Sequence, residues 1–401
     1  MVKIDKIILP EFPLLLAPME DVSDPPFRAV CKINGADLMY TEFISSEGLI
    51  RDAIKSQKKL DIFDSERPVG IQIFGGDEEA MGLSARIVEA VNPDLLDINF
   101  GCPVKKVVTK GAGAAVLKDI DLMVRLTKAV IRSTSLPVTV KTRLGWDDNT
   151  INIEEVAERL QDIGVKALSI HGRTRCQLYK GDADWTYIAR VKENPRIQIP
   201  IFGNGDVDTP EKALEFKNKY GVDGIMIGRA AIGYPWIFNE IKHYLKTGNH
   251  LQPPAIEQRV DVIRQHLHHS IAWKGIKAGI NEMRRHYANY LRDLPNIKEY
   301  RQKLVTISEV EQIDEILCEI SHTYSGISSN GTVSGISISG KSSNSSNGCI
   351  STNGCISSNG SNGLISSNSK YIPSGYQRTI PDPTIPDHSR LTIDDSRFTA
   401  S

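Results

Sequence analysis

Residues 99–103 read NFGCP and follow directly on the apolar run LLDI. A cysteine that only fills a protein core needs neither the glycine before Cys102 nor the proline after it. A free thiol has a pKa of about 8.5, so it stays mostly protonated at neutral pH unless a cation lies beside it. The residue types therefore favour Cys102 as a proton donor, with an inert buried cysteine as the alternative.

Short apolar runs rich in β-branched residues recur along the first part of the chain and predict its strands. There are eight of them, at residues 13–19, 36–42, 69–75, 95–101, 137–143, 166–173, 199–206 and 223–230. Strands that are apolar on both faces and alternate with helices indicate a parallel sheet. Eight repeats favour a closed (β/α)8 TIM barrel over an open, doubly wound sheet, and we predict the barrel.

Helix-like segments lie between the apolar runs, at residues 80–91, 119–133, 152–164 and 209–221. The last of them has Thr209 as a plausible N-cap, Pro210 at the first helical position and Gly221 as its end. The segment GAGAAV at residues 111–116 is the nearest match to a dinucleotide fingerprint, but it follows a basic stretch instead of a strand. We interpret it as a flexible loop.

Polar or reactive residues stand at the end of every predicted strand, which is where TIM barrels place their chemistry. They are Pro18, Met19 and Glu20; Glu42; Gln72; Asn99 and Cys102; Lys141 and Arg143; His171 and Arg173; Asn204, Gly205 and Asp206; and Gly228 and Arg229. Packing alone does not explain such a group at every strand end. The pattern predicts one active site at this end of the barrel.

The loops after the seventh and eighth strands favour a phosphate ligand. Gly203, Gly205 and Gly228 would let backbone N–H groups approach a phosphate closely, and these two loops are the usual phosphate site of TIM barrels. The ligand would then be a phosphorylated cofactor, either flavin mononucleotide (FMN) or pyridoxal phosphate.

Lys141 fits both cofactors, because it could form a Schiff base with pyridoxal phosphate or stabilise an anionic reduced flavin. Gln72 and Met19 fit the flavin better. An amide can form hydrogen bonds with the pyrimidine edge of the ring, and methionine packs softly against a flat surface.

The pattern changes to helices alone after residue 250. We predict a barrel domain over residues 1–245 and a small helical bundle over 255–320. Residues 259–303 hold ten Lys and Arg against four acidic residues, so this bundle could contact nucleic-acid phosphates. Residues 325–401 include a low-complexity stretch rich in Ser, Gly and Asn, and we predict a disordered tail.

The overall composition excludes several classes of protein. With 40% hydrophobic residues, 24% charged residues and a net charge of −1, the chain is of an ordinary globular type. Its six cysteines form no CxxC pair and no zinc-ligand spacing, so we expect no metal and a reducing compartment. Neither an N-terminal signal nor a run of about 18 apolar residues is visible. We predict a cytoplasmic protein that does not enter the membrane.

Several of these segments together resemble one family, the tRNA-dihydrouridine synthases. The segments are NFGCP followed by GAGAA, KTRLGW (141–146), HGRTR (171–175), GNGDV (203–207) and GRAAIGYPW (228–236). In addition, EMRRHYANYLRDLPN (282–296) resembles the C-terminal helical domain of the bacterial B-type members.

The resemblance implies an enzyme in which NADPH reduces FMN, and FMN reduces the C5=C6 bond of a uridine in tRNA. Hydride would go to C6, and Cys102 would protonate C5. The resemblance implies that FMN is held by Pro18, Met19, Glu20, Gln72, Lys141, His171, Asn204, Gly205, Asp206, Gly228 and Arg229. The target nucleotide would contact Asn99, Arg143 and Arg173. We expect tRNA phosphates to contact Arg284, Arg285 and Arg292, because arginine forms paired bonds to phosphate.

Two alternatives stay open. The first is another FMN-dependent barrel, of the dihydroorotate dehydrogenase type, which would have no use for a basic helical bundle. The second is a non-catalytic RNA-binding protein built on a barrel that has lost its activity. The intact Cys102, Lys141 and His171 argue against the second alternative.

Overall fold

Eight short parallel strands form the centre of the structure, which is a computed structural model that describes residues 1–325. The strands of this region are β1 (Val2–Ile4), β2 (Ile7–Leu9), β3 (Leu14–Leu16), β4 (Leu38–Tyr40), β5 (Ile44–Ser45), β6 (Val69–Phe74), β7 (Leu95–Asn99), β8 (Val138–Arg143), β9 (Leu168–His171), β10 (Ile201–Asn204) and β11 (Gly224–Ile227). Parallel pairing runs from β3 through β4, β6, β7, β8, β9 and β10 to β11, and β11 pairs with β3. The sheet is closed, so the predicted TIM barrel is confirmed and the open sheet was wrong.

Helices surround the barrel and continue beyond it. They are α1 (Pro25–Ile33), α2 (Ser46–Ile50), α3 (Ile54–Lys58), α4 (Glu78–Ala90), α5 (Lys105–Val108), α6 (Ile120–Arg132), α7 (Ile153–Asp162), α8 (Thr186–Glu193), α9 (Pro210–Tyr220), α10 (Ile237–Thr247), α11 (Ile256–Lys274), α12 (Ile276–Tyr290), α13 (Lys298–Thr306) and α14 (Val310–Tyr324). The end signals of α9 are confirmed: the Thr209 side chain accepts a hydrogen bond from the N–H of Lys212, and Gly221 has a φ of 61°. The loop expected at residues 111–116 was wrong, because Gly113–Lys118 form a 3-10 helix with buried apolar side chains.

The antiparallel hairpin of β1 and β2 fills one end of the barrel. Val2, Ile4 and Leu9 are buried in one apolar cluster together with Leu15 and Phe202 from barrel strands. Side chains inside the barrel and the hairpin therefore share a single core. The opposite end, where the carboxyl ends of the strands lie, is left for a functional site.

Helices α11–α14 have an apolar core of their own and also pack against α1. The ring of Phe27 lies 5.7 Å from that of His266 and 5.0 Å from that of His286. The ammonium of Lys274 lies 3.0 Å from the carboxylate of Asp24. The predicted change to helices is confirmed. The predicted disordered tail over residues 325–401 lies, apart from residue 325, outside the described residues. Within residues 1–325 no helix is long and apolar enough to cross a membrane.

Gly203 on β10 allows the indole of Trp185 to lie directly against the strand. A Cβ at this glycine would lie 1.9 Å from Cζ3 of Trp185, a distance that no side chain can adopt. The indole is fully buried, packs on Phe216 and donates a hydrogen bond of 3.0 Å to the carbonyl of Gly205. This contact fixes the loop that follows β10.

We expect Gly203→Ala to lower the free energy of unfolding by about 1–3 kcal/mol, because the added methyl group overlaps the Trp185 ring. Urea unfolding measures the loss. Trp185→Leu removes that ring, so the double variant should lose less than the sum of the two single losses. Additive losses would contradict the contact.

Candidate active site

A cavity of about 680 Å³ lies at the carboxyl ends of the barrel strands. Most of the residues singled out from the sequence line it: Pro18, Met19, Glu20, Asn99, Cys102, Lys141, Arg143, His171, Asn204, Gly205, Asp206, Gly228, Arg229 and Arg292. The others, Glu42, Gln72, Arg173, Gly203, Arg284 and Arg285, are not on its wall. The closed barrel therefore brings these groups together from six strand ends and from the end of α12.

Hydrogen bonds to its backbone groups hold the loop that carries Cys102. The side-chain oxygen of Asn99 accepts hydrogen bonds of 2.9 Å from the N–H groups of Gly101 and Cys102. The carbonyl of Cys102 accepts from the N–H of Ala114 at 3.0 Å. The residue is only 6% exposed, and burial raises the pKa of its thiol. The sulfhydryl of Cys102 therefore keeps its proton at neutral pH.

A chain of buried hydrogen bonds fixes the orientation of Asn99. Asp97 on β7 accepts from Nε2 of Gln72 at 2.6 Å, and Oε1 of Gln72 accepts from Nδ2 of Asn99 at 3.1 Å. A carboxylate only accepts, so it sets the direction of both amides and leaves the oxygen of Asn99 free for the loop. Gln72 lies beneath the cavity wall for this reason, with both ends of its amide engaged.

Lys141 and His171 give the floor of the cavity its electrostatic character. Burial, and next the Arg143 guanidinium, lower the pKa of Lys141 to about 8, while Asp97 opposes the shift. The Lys141 amine donates to Oδ1 of Asn204 at 3.2 Å. Burial also lowers the pKa of His171 well below its ordinary value. At neutral pH the site therefore holds a charged lysine beside a neutral imidazole.

Arg143 and Arg173 brace the loops around the cavity. Arg143 donates to the carbonyls of Gly101, at 2.8 Å, and Thr174, at 3.0 Å. Arg173 donates at 2.6 Å both to the carbonyl of Gly181 and to the carboxylate of Asp206. Both side chains are buried, so their expected contacts to a nucleotide stay a prediction.

The loops after β10 and β11 meet at one wall of the cavity. Gly205 has a φ of 119° and Asp206 a φ of 59°, so the first loop turns through the left-handed region. Among residues 1–325, no acceptor receives a hydrogen bond from the N–H groups of Val207, Arg229 or Ala230. Free N–H groups next to the Arg229 guanidinium are suited to bind an anion.

Sequence reasoning missed two residues of the site, Asp97 and Tyr179. Asp97 stands inside the apolar run LLDI, where a lone acid was the available signal. Tyr179 is 55% exposed and lines the cavity, with the Arg143 and Arg229 guanidinium carbons 5.6 Å and 4.9 Å from its ring centre. Only its loop position brings it there, and no pattern in the sequence indicated that.

The three arginines expected to contact phosphates occupy different places. Arg292 lines the cavity, with its guanidinium carbon 3.3 Å from the ring centre of Tyr234. Arg284 is partly buried and donates to the carbonyl of Ile307, and Arg285 donates to the carbonyl of Asp21. The structure thus brings only Arg292 to the cavity.

The model of the dihydrouridine synthase (Dus) family matches residues 15–324, which include the barrel and helices α11–α14. The chain belongs to the dihydrouridine synthase family. The resemblance seen in its motifs is thereby confirmed. Membership makes the chain an enzyme with a flavin cofactor, as the resemblance implied.

Individual members of the family cover most of the chain. A probable tRNA-dihydrouridine synthase of Rickettsia conorii is 38% identical over 80% of this chain and 96% of its own length. The tRNA-dihydrouridine synthase B of Pseudomonas aeruginosa is 39% identical, covering 74% and 89%. That of Xanthomonas campestris is 41% identical, covering 72% and 86%. Among solved structures, histamine dehydrogenase from Rhizobium sp. 4-9 is 11% identical with a TM-score of 0.48, over 67% of this chain and 50% of its own, and carries no functional argument.

We expect Asp97→Asn to lower turnover by about ten- to a hundred-fold, because an amide can present either its oxygen or its N–H₂ group to Gln72 and so no longer sets the direction of the chain of hydrogen bonds. Burial raises the pKa of Asp97 to about 6, so the comparison is made above this pH, where the wild-type carboxylate is charged. Steady-state kinetics measures the loss. Thr139→Val is the control, because it removes another hydrogen bond to the same carboxylate and keeps the chain. Equal losses in both variants would contradict the assigned direction.

Proposed function

We propose that this chain binds FMN, takes electrons from NADPH and reduces the C5=C6 bond of a uridine in tRNA. One observation carries the proposal: a protonated thiol, Cys102, shares a cavity with the Lys141 ammonium and with the free N–H groups after β11. These supply an acid for the substrate, a cation for the reduced ring and an anchor for a phosphate. The relatives are named tRNA-dihydrouridine synthases, which supports tRNA as the substrate.

The donors at the cavity wall fit FMN. The cavity volume of about 680 Å³ lies in the range of about 300–1,000 Å³ that is usual for cofactor sites. A Cβ at Gly228 would meet only Ala17 and the Met19 sulfur, both at 3.6 Å, so no other side chain of residues 1–325 crowds this part of the wall. We assign the phosphate to the N–H groups of Arg229 and Ala230, and the ring to Met19 and Lys141.

The remaining predicted contacts divide into direct and indirect ones. Pro18, Glu20, His171, Asn204, Gly205 and Asp206 line the cavity and would contact FMN directly. Gln72 would act through Asn99, because it lies beneath the wall.

Cys102 would act as the acid of the reaction. Burial keeps the thiol protonated, and the proton on Sγ would pass to C5 of the uracil. A bound flavin would supply the hydride for C6. Asn99 fixes the N–H of Cys102 and Arg143 fixes the carbonyl of Gly101, so the thiol keeps its position during the transfer.

A uridine inside folded tRNA must leave its base stack before it can enter this cavity. Contacts to the neighbouring phosphates would hold the strand while the base is out. Arg292 is placed for such a contact, and Arg284 and Arg285 would have to exchange the carbonyls of Ile307 and Asp21 for phosphate oxygens. A cytoplasmic enzyme would meet both tRNA and NADPH.

We expect Cys102→Ala to keep the yellow flavin and tRNA affinity but to form no dihydrouridine, because the variant loses its acid. Mass spectrometry of digested tRNA measures the product, and absorbance measures the flavin. Undiminished dihydrouridine would contradict the acid role. Turnover of dihydroorotate without turnover of tRNA would contradict the proposed substrate.

Arg292→Ala should weaken tRNA binding and reduce the slope of log affinity against log salt by about one, because one phosphate contact is lost. Fluorescence anisotropy with an unmodified tRNA transcript measures both quantities. Lys246→Ala, at an exposed position on the outer helix α10, removes the same charge away from the cavity and should change neither. An unchanged slope in Arg292→Ala would remove this arginine from the RNA surface.

A further inference from the structure

The turn that follows Cys102 is strongly basic. Residues 104–118 contain Lys105, Lys106, Lys110 and Lys118 and no acidic residue, in a chain whose net charge is −1. All four lysine side chains are exposed. The Lys118 ammonium lies 3.8 Å from the ring centre of Trp146. Lys105, Lys106 and Lys110 form no ion pair with an acidic side chain among residues 1–325.

This basic turn, residues 104–110, is packed against Cys102. Val107 is buried in one apolar cluster with Cys102 and Ala112. Gly113 has a φ of 59°, and a Cβ there would lie 2.8 Å from Val107 and 3.0 Å from the carbonyl of Cys102. Only a glycine allows so close an approach. The backbone of the turn is therefore fixed relative to Cys102, and Val104, which directly precedes the lysines, lines the cavity.

The basic turn and helices α11–α14 lie on opposite sides of the cavity. The turn follows β7, and β7 is four strands away from β11 in a closed ring of eight. Helix α12 reaches the loop after β11, where the side-chain amide of Asn289 donates to the carbonyl of Ile232 at 2.7 Å. Phosphate contacts fix the position of a nucleic acid, so contacts on both sides of the cavity would hold an RNA strand whose target nucleotide is flipped out between them.

We propose that Lys105 and Lys106, with Lys110 beside them, bind backbone phosphates of the RNA substrate on the far side of the cavity from Arg292. This inference rests on the proposed function. Contacts on a turn that is packed against Cys102 would set the position of the target base relative to the thiol. Ammonium groups without acidic partners need not break an ion pair to bind phosphate, unlike Lys59, which pairs with Glu20 at 2.6 Å.

The test compares Lys105→Ala/Lys106→Ala with Lys3→Ala/Lys6→Ala in the flavin-loaded protein. Lys3 and Lys6 are exposed on the hairpin at the other end of the barrel, so the control removes equal charge far from the cavity. We expect the first variant to bind an unmodified tRNA transcript about ten-fold more weakly, with a salt slope lower by about two. Lys105→Arg/Lys106→Arg should restore both quantities.

Unchanged affinity and slope in Lys105→Ala/Lys106→Ala, or equal losses in the Lys3→Ala/Lys6→Ala control, would overturn the inference. A separate measurement reports on the proposed function: if the wild-type protein forms no dihydrouridine in tRNA, that function fails. If the wild type forms it and the first variant binds tRNA normally, only the role of the basic turn fails. Flavin absorbance equal to that of the wild type shows that the variants are folded.

Discussion

A carboxylate buried inside the barrel determines the geometry of this site. Asp97 accepts hydrogen bonds and has none to give while it is charged, so Gln72 must point its N–H₂ group at it and its oxygen at Asn99. The Asn99 oxygen is then turned toward the loop of Cys102. Burial raises the pKa of Asp97 to about 6, so the carboxylate still carries its charge at neutral pH. Two amides that could each have adopted either orientation are thereby given one.

Positive charge in the site is divided between support and binding. Arg143 and Arg173 are buried and donate to main-chain carbonyls, so they hold the loops after β7 and β9. Lys141 and Arg229 keep donors that face the cavity. Arginine suits the first task because its planar group reaches several carbonyls at once. Arginines at different strand ends thus have different roles: Arg143 and Arg173 hold loops, whereas Arg229 faces the cavity.

Much of the fold could be predicted because its signals are local. The apolar runs gave all eight barrel strands, and Thr209 and Gly221 gave the ends of a helix. The positions of strand ends then indicated which side chains meet. What failed depends on contacts between distant segments: Asp97 looked like part of an apolar strand, and GAGAAV looked like a loop because its burial against Cys102 is invisible in the sequence. Orientation of Gln72, Arg143 and Arg173 likewise required the assembled barrel.

The hairpin of β1 and β2 has a kinetic consequence. Because its side chains fill one end of the barrel, ligands can enter the cavity only from the other end. On the proposed function, the nicotinamide and the uracil would both reach the flavin ring through this one opening of the cavity, which a bound tRNA would cover. In each turnover the two substrates would then bind one after the other, and the oxidised dinucleotide would leave the cavity before the tRNA binds. Such an order gives double-displacement kinetics, and excess tRNA would slow the enzyme by covering the opening of the cavity before the dinucleotide has bound.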